Sequence, residues 1–393
     1  MTDLPDATYM PASGTALHVV TRYLRGGSER RVRDVVGALD EFRHHVVVGS
    51  ESDLDLANAD LPTCQVTLEP SLRRNPNPLS DPLAVLRIRR IINSLRPDIV
   101  FTHQSKAGAI GRLGAWAAGR PVVVHSLSMA NFGEGYSPAH SAAFRWIERR
   151  LAPLTSAYAV VGHDLAGRYR DIGVPEEKLR VIRSGVPIPK VAESTQDAKH
   201  RLAGELAMPV DQPWLVHVGS LEPRKNVMML PDLLETLLDN PEVGTLHMVI
   251  AGVGPLEDQL KDELATRGLS SYCTMLGYVN GVAPLIKASS ALVLLSSAEG
   301  LPQVLVQSAS VGTPFVTFDV DGTRELLDLG ASGKIVELGD LRSAVSAVAE
   351  ALSAYHETSS VDFGSWAPET IRRQYRELVT DLLSQTTHRP QAK

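Results

Sequence analysis

The sequence predicts an α/β protein built as two doubly wound domains facing across a cleft. Three observations carry that prediction. Apolar runs of strand length alternate with helix-length segments from residue 16 to residue 182, the alternation lapses over 185–213, and it restarts at Trp214. Repeated strand–helix alternation with short connections is the pattern of a parallel sheet covered on both faces. Two such arrays joined by a linker make two similar domains, and the space between them is where a ligand is expected. A length of 393 residues fits two domains.

In order, the first array reads as a strand over 16–20, a loop over 21–28, a helix over 29–40 and a strand over 46–49. A helix over 82–95, a strand over 98–102, a helix over 107–118 and a strand over 121–125 follow, then a helix over 141–151, a strand over 157–161 and a last strand over 180–182. Residues 185–213, opening with Gly185-Val186-Pro187, read as a linker with one short helix. The second array runs through strands over 214–218, 245–251, 274–276, 291–295 and 315–318. Helices over 227–238, 256–267, 283–288 and 303–311 alternate with them. One or two further helices are expected over 365–384, with a polar tail after them. The predicted domains are 1–190 and 191–365, with the C-terminal helices at about 366–385 packing back on the first.

Composition narrows the function. Apolar residues make up 44% and charged residues 21%, as in a soluble globular protein. No apolar run approaches the length of a membrane span. Residues 1–13 are acidic and lack the basic-then-apolar order of a signal peptide, so a cytoplasmic protein is expected. Two cysteines, Cys64 and Cys273, are too few and too far apart for a disulfide framework or a cysteine zinc site. Lys and Arg exceed Asp and Glu by 5 in residues 1–190 and fall short by 11 in 191–393, giving the net −6. A basic first half fits an anionic partner such as a phosphorylated acceptor or a membrane surface, and a difference in surface decoration fits equally well.

The most informative stretch is Ser296-Ser297-Ala298-Glu299-Gly300-Leu301-Pro302, between an apolar strand and a helix. It places one carboxylate, Glu299, at the C-terminal end of a parallel strand, where open α/β sheets bind ligands. Pro302 sets the helix start, and the free N–H groups there favour a phosphate. A second strand-end loop, Gly219-Ser220-Leu221-Glu222-Pro223-Arg224-Lys225-Asn226, brings two adjacent cations to the same edge, as a diphosphate requires; an exposed basic loop is the plainer account. Ala251-Gly252-Val253-Gly254-Pro255 and Leu276-Gly277-Tyr278-Val279 end two more strands there, and tight turns explain both. In the first array Gly26 and Gly27 join strand to helix, and their spacing is not a dinucleotide fingerprint. His103 and His125 end neighbouring strands and are site candidates, with a structural role the commoner account, and His163 follows a strand where the cleft is expected. Arg73, Arg74, Arg87, Arg89 and Arg90 lie on or ahead of the helix over 82–95, where a lipid or acceptor contact and an ordinary solvated face are both open.

In this order and spacing, the motifs resemble the family-4 retaining glycosyltransferases of the GT-B fold, over nearly the whole chain. The stretches that carry the resemblance are Gly26-Gly27, Arg96-Pro97-Asp98, Gly185-Val186-Pro187, the 219–226 loop, Gly252-Val253-Gly254-Pro255, Glu299-Gly300-Leu301-Pro302 and Gly312-Thr313-Pro314. The resemblance implies two Rossmann-like domains and a nucleotide-sugar donor, a UDP-sugar by preference, held by the second. It implies that Arg224 and Lys225 hold the diphosphate and that Glu299 binds donor-sugar hydroxyls. Gly300 and Leu301 would offer backbone N–H groups, Val279 would meet the base, and Gly219 and Ser220 would line the phosphate loop. His125 would stand near the reaction centre, and Gly26 and Gly27 would close on the diphosphate. No metal or other cofactor and no nucleic acid are implied. Retention gives an α-glycoside on an acceptor whose identity is open, an anionic or lipid-linked one included, with peripheral membrane contact also open. Two positions depart from the pattern. Gln307 stands where the family places a second glutamate, after seven intervening residues, to bind ribose, and Ser220 stands where many relatives have Arg. Gln307 keeps open a non-catalytic sugar-nucleotide-binding or partner-binding protein, and another GT-B enzyme such as a sugar-nucleotide epimerase is a further alternative.

Overall fold

The computed structural model describes residues 13–24, 27–119, 121–133, 135–186, 188, 191–353 and 361–387. Its first sheet has strands β1 (Gly14–Val20), β2 (Phe42–Gly49), β3 (Gln65–Glu69), β4 (Ile99–His103), β5 (Val122–Leu127), β6 (Ala157–Val160) and β7 (Leu179–Val181). Helices α1 (Gly27–Ala38), α2 (Leu54–Asp60), α3 (Ser80–Leu95), α4 (Ser105–Ala117), α5 (Pro138–Leu151) and α6 (His163–Asp171) connect them. The strand order is β3-β2-β1-β4-β5-β6-β7, with every pairing parallel. After α7 (Thr195–Leu206) come β8 (Trp214–Val218), α8 (Leu230–Leu238), β9 (His247–Ala251), α9 (Glu257–Thr266), β10 (Cys273–Gly277) and α10 (Ala283–Ala288). Then follow β11 (Ala291–Leu294), α11 (Gln303–Val311), β12 (Phe315–Phe318), α12 (Thr323–Asp328), β13 (Gly333–Val336) and α13 (Leu341–Ser353). This second sheet is also parallel, in the order β10-β9-β8-β11-β12-β13. The fold class read from the sequence is therefore the one observed. Strand order reverses between β1 and β4 in one sheet and between β8 and β11 in the other, and crevices open at such points.

The central strands are continuous apolar runs because both faces are covered. Val46, Val47 and Val48 in β2 are fully buried, as are Leu292 and Val293 in β11. The sequence reading omitted α6 and α13, although α13 has an apolar face of Ala344, Val345, Ala347 and Val348, and it omitted four elements with no such run. β3 (Gln-Val-Thr-Leu-Glu) and β13 are edge strands and mostly only half buried, while α2 and α12 are short. The last helix, α14 (Pro368–Thr387), lies against α1 and β5. Its Ile371, Tyr375, Leu378 and Val379 join Val35, Ala38, Leu39 and Phe101 in one buried cluster. Arg376 Nε donates to the Ala38 carbonyl at 2.7 Å. The chain thus crosses between the two sheets twice, and Val186 N donates to Trp366 O at 3.1 Å where the crossings meet. Among the described residues no helix is long and apolar enough to cross a membrane.

Three imidazoles form a buried chain inside the first sheet. His18 Nε2 lies 3.0 Å from His44 Nδ1, His18 Nδ1 lies 3.3 Å from His103 Nε2, and His44 Nε2 lies 2.8 Å from the Leu39 carbonyl. A carbonyl only accepts, so His44 carries its proton on Nε2, and the same tautomer propagates to His18 and then His103. Burial, then the charges of Arg31 and His125, hold His103 down to about 3. Being locked in this chain, His103 is part of the domain's interior.

Candidate functional site

The C-terminal edge of the second sheet is shaped by two loops that lean on one another. After β8 the chain passes Gly219 and makes a single tight turn, Pro223–Lys225, ended by Asn226 at φ 49°. The Asn226 side-chain amide donates to Leu295 O at 2.9 Å, and Ser297 N donates to Arg224 O at 2.8 Å. These bonds fix the turn against the loop that leaves β11. As a result Lys225 Nζ sits 2.5 Å from Glu299 Oε1, and Arg224 Nη1 sits 3.2 Å from the same oxygen. Arg224 also donates to Ala298 O at 2.7 Å and to Glu222 at 2.7 Å, and Ser220 Oγ donates to Glu222 at 2.9 Å. The structure thus brings together Ser220, Arg224, Lys225 and Glu299.

The electrostatics follow from that packing. Burial pushes the Glu299 carboxyl up, but the charges of Lys225 and Arg224 outweigh it and hold the group below the usual carboxylate range. Burial likewise pulls Arg224 down, and Glu299 with Glu222 more than reverses that. His217, fully buried beneath the turn, has Nδ1 at 3.2 Å from Val293 O, so Nδ1–H donates and Nε2 is left as a buried acceptor without a partner. Burial and then the Lys225 charge hold His217 down to about 4. The site is therefore two cations and two carboxylates, with Glu299 between both cations, Glu222 on Arg224 alone, and a neutral imidazole underneath.

The glycines on this edge are matters of close approach. A Cβ on Gly252 would lie 1.8 Å from Gly219 O, and one on Gly254 would lie 2.4 Å from Leu221 O. The 252–255 turn is thus pressed against the 219–226 loop. Gly300 is tighter still, since its Cβ would lie 1.7 Å from Ser128 O, a backbone atom of the first domain. Leu301 is buried directly behind it. Val279 is half buried at the end of β10 and packs on the core. Gln307 lies five residues into α11, half buried, and among the described residues its side chain makes no hydrogen bond.

The first domain contributes the loop after β5. Gly135 packs toward Ser297 O and Ala298, and Tyr136 stacks on His140 at 5.0 Å, which stacks on Phe144 at 4.7 Å. Burial raises the Tyr136 hydroxyl against the opposing charges of Arg224 and Arg74. Sequence reading missed Ser128 and Tyr136. The only signal was their position in the loop after a strand, with no distinctive residue type. On the far side of the cleft the domains are braced. Arg168 pairs with Asp321 at 2.7 Å and Arg183 with Glu325 at 2.8 Å, while Gly322 N donates to Asp164 and His163 N to Glu325. His163 enters this brace through its backbone.

The expectation for His125 needs correction. β5 continues two residues past it to Leu127, so His125 is an interior strand residue, fully buried. Its Nδ1 lies 2.9 Å from Thr102 Oγ1, and its ring fills the space over Gly108, whose Cβ would lie 2.3 Å from it. It packs between sheet and α4 and has no access to the cleft. Gly26 lies outside the described residues, and Gly27 is the first residue of α1. Among the described residues no three His, Cys, Asp or Glu side chains are grouped as metal ligands.

Comparison with known proteins gives matches along most of the chain. The family described as glycosyl transferase 4-like domain matches residues 26–185, and the family described as glycosyl transferases group 1 matches residues 199–364. An Escherichia coli UDP-Gal:alpha-D-GlcNAc-diphosphoundecaprenol alpha-1,3-galactosyltransferase is 28% identical over 71% of this chain and 72% of its own length. The putative glycosyltransferase EpsF of Bacillus subtilis is 24% identical over 94% of this chain and 91% of its own. Among solved structures, Anabaena HepE in complex with UDP-glucose superposes with a TM-score of 0.70 at 18% identity, over 94% of this chain and 100% of that one.

Proposed function

Because the chain belongs to the group 1 glycosyltransferases, with the two-sheet GT-B architecture, we propose that it is a retaining enzyme that transfers a sugar from a UDP-sugar to an acceptor hydroxyl. The product is an α-glycoside in cell-envelope polysaccharide or glycolipid biosynthesis, made on the cytoplasmic side. Residues 1–190 serve the acceptor and 191–365 the donor. The observation that carries this reading is the cluster of Arg224, Lys225 and Glu299 at the C-terminal edge of the second sheet. The E. coli relative uses UDP-galactose, and HepE was crystallised with UDP-glucose, which supports the choice of base.

On this reading the donor diphosphate takes over Arg224 and Lys225 from Glu299. The two cations then stabilise the charge that grows on the leaving phosphate, the task for which preorganised donors are most effective. Glu299, released, accepts hydrogen bonds from sugar hydroxyls, while Gly300 and Leu301 offer backbone N–H groups at the start of α11. The anomeric C–O bond breaks as the acceptor oxygen bonds on the same face, and the departing phosphate oxygen takes the acceptor's proton. Side-chain cations supply the charge neutralisation, so no metal is proposed.

The test is incubation with a panel of UDP- and GDP-sugars, following nucleoside diphosphate release and thermal shift. A shift and release with a UDP-sugar is expected, and no shift with any donor would sink the reading. Gln307 favours one second reading, a protein that binds sugar nucleotide without turnover, and binding with no release across a broad acceptor set would select it.

A further inference from the structure

The loop after β5 ends in a column of aromatic rings. Tyr136, His140 and Phe144 are spaced four residues apart, which is about one helical turn and about 6 Å of rise each. Tyr136 stacks on His140 with centroids 5.0 Å and planes 7° apart, and His140 stacks on Phe144 at 4.7 Å and 28°. The rings therefore follow the axis of α5. Phe144 packs on the buried core at the inner end. Tyr136 is the outer end, and among the described residues no second ring stacks on it.

The column is held in place and left open. Ser137 caps α5, its Oγ accepting from His140 N at 3.3 Å, and Ser141 Oγ accepts from Gly133 N at 3.1 Å. Tyr136 N donates to Gly133 O at 3.2 Å. Phe132, buried in the core with Arg145 over its ring at 5.6 Å, anchors the start of the same segment. His140 is nonetheless exposed, and since both faces of its ring are covered, it is the polar edge that meets water. At 100° per residue, Ala139 and Ala143 lie to one side of the column and the buried Ser141 to the other. Two exposed alanines leave that side uncovered. An aromatic ring stabilises a fold by leaving water, and Tyr136 and His140 are kept partly in it.

Position says what the column meets. Helix α5 follows a parallel strand, so its N-terminus lies at the C-terminal edge of the first sheet, where such folds hold ligands. A Cβ on Gly135, the residue before Tyr136, would lie 3.4 Å from Ser297 O and 3.8 Å from the Ala298 methyl group, in the loop that carries Glu299. We propose that Tyr136 and His140 bind the sugar of a carbohydrate acceptor. A pyranose has an apolar face of C–H groups and a rim of hydroxyls. Its C–H face lies on the free face of Tyr136, and its hydroxyls meet the Tyr136 hydroxyl and the imidazole edge of His140. Tyrosine suits this because it joins a flat apolar body to a polar tip. A hydrocarbon chain would use the ring faces and waste both polar edges, and a phosphate would use no face at all. The assignment rests on the glycosyltransferase reading and adds the acceptor's class to it, with the acceptor sugar set beside the carboxylate that takes the donor sugar.

The experiment uses the full chain with no donor present, and its probes are the methyl α- and β-pyranosides of glucose, galactose, mannose and N-acetylglucosamine. In saturation-transfer NMR, the ring C–H protons of at least one probe are expected to receive magnetisation from the protein. Tyr136→Leu keeps apolar bulk but loses the flat ring, and it is expected to cut that signal at least fivefold at an unchanged melting temperature. Tyr136→Phe keeps the ring and is expected to recover most of the signal. A full signal in Tyr136→Leu would overturn the proposal. So would silence of every probe with the wild type, or a loss in Tyr136→Leu matched by a fall in melting temperature. UDP affinity of the wild type, measured separately by calorimetry, tests the donor reading, so the two readings fail on different measurements.

Discussion

The chemistry at residue scale turns on Glu299. Burial favours its neutral form and two cations favour the charged one, and the cations win. Its folded value lies below that of ordinary glutamate, about 4.3. The ionised form is therefore complete above that pH and is lost only as the pH falls through the lower folded value. Lys225→Met leaves burial opposed by Arg224 alone, so the acid limb of donor binding is expected to move to higher pH in this variant, measured as UDP-sugar affinity by calorimetry between pH 4 and 7. An unmoved limb would show that Lys225 does not set the charge of Glu299. In turnover, Lys225→Met and Glu299→Ala are each expected to lower kcat/KM by about 10²-fold or more. Gln307→Glu restores an acceptor-only side chain, and tighter donor binding in that variant is the expected sign of a ribose contact.

At the scale of elements, the tight spot is Gly300 under Ser128. Gly300→Ala would drive a methyl group into the Ser128 carbonyl and push the loop after β5 off the donor side. Activity is expected to fall much further than melting temperature, because the contact joins two loops and carries little core. Gly252→Ala meets the Gly219 carbonyl within its own domain and is expected to destabilise by about 1–3 kcal/mol, read from denaturant unfolding. These contacts also mark how far the sequence could be read. β8, α10, α11 and β12 follow apolar runs or helical spacing between glycines and prolines, so their bounds were legible. β3 and β13 were not, because they bury too little to show an apolar run. The cluster of Arg224, Lys225 and Glu299 was legible because its members lie on two loops that follow parallel strands at the same sheet edge, adjacent cations on one and a carboxylate before Gly300 on the other. Ser128 and Tyr136 were not, since the approach of the loop after β5 to Gly300 and Ser297 depends on how the domains face one another. His125 was misplaced because two more residues of β5 follow it, and the strand's apolar run, Val122–Leu127, includes Ser126 and the histidine itself.

For the whole molecule, acid is the sensitive direction. His18, His103, His125 and His217 are fully or almost fully buried, and each is held neutral well below its ordinary value, chiefly by burial. The unfolded chain takes up these protons near pH 6.5 and the fold does not, so stability is full above that pH and falls as the pH drops below it. The melting temperature is expected to decline from pH 7 to pH 5, and a flat profile would contradict the neutral tautomers assigned to the imidazole chain. The brace across the cleft belongs to this scale too. Glu325→Ala leaves Arg183 unpaired and His163 N without its acceptor, and a larger radius of gyration in solution scattering is the expected result. The double crossing of the chain has a consequence for biosynthesis. The first sheet is complete in sequence at Val181, but the helix that covers Val35, Leu39 and Phe101 begins at Pro368. Synthesis proceeds from the N-terminus, so the earliest domain emerges from the ribosome with an uncovered apolar flank. That flank stays uncovered until residues 368–387 have been made.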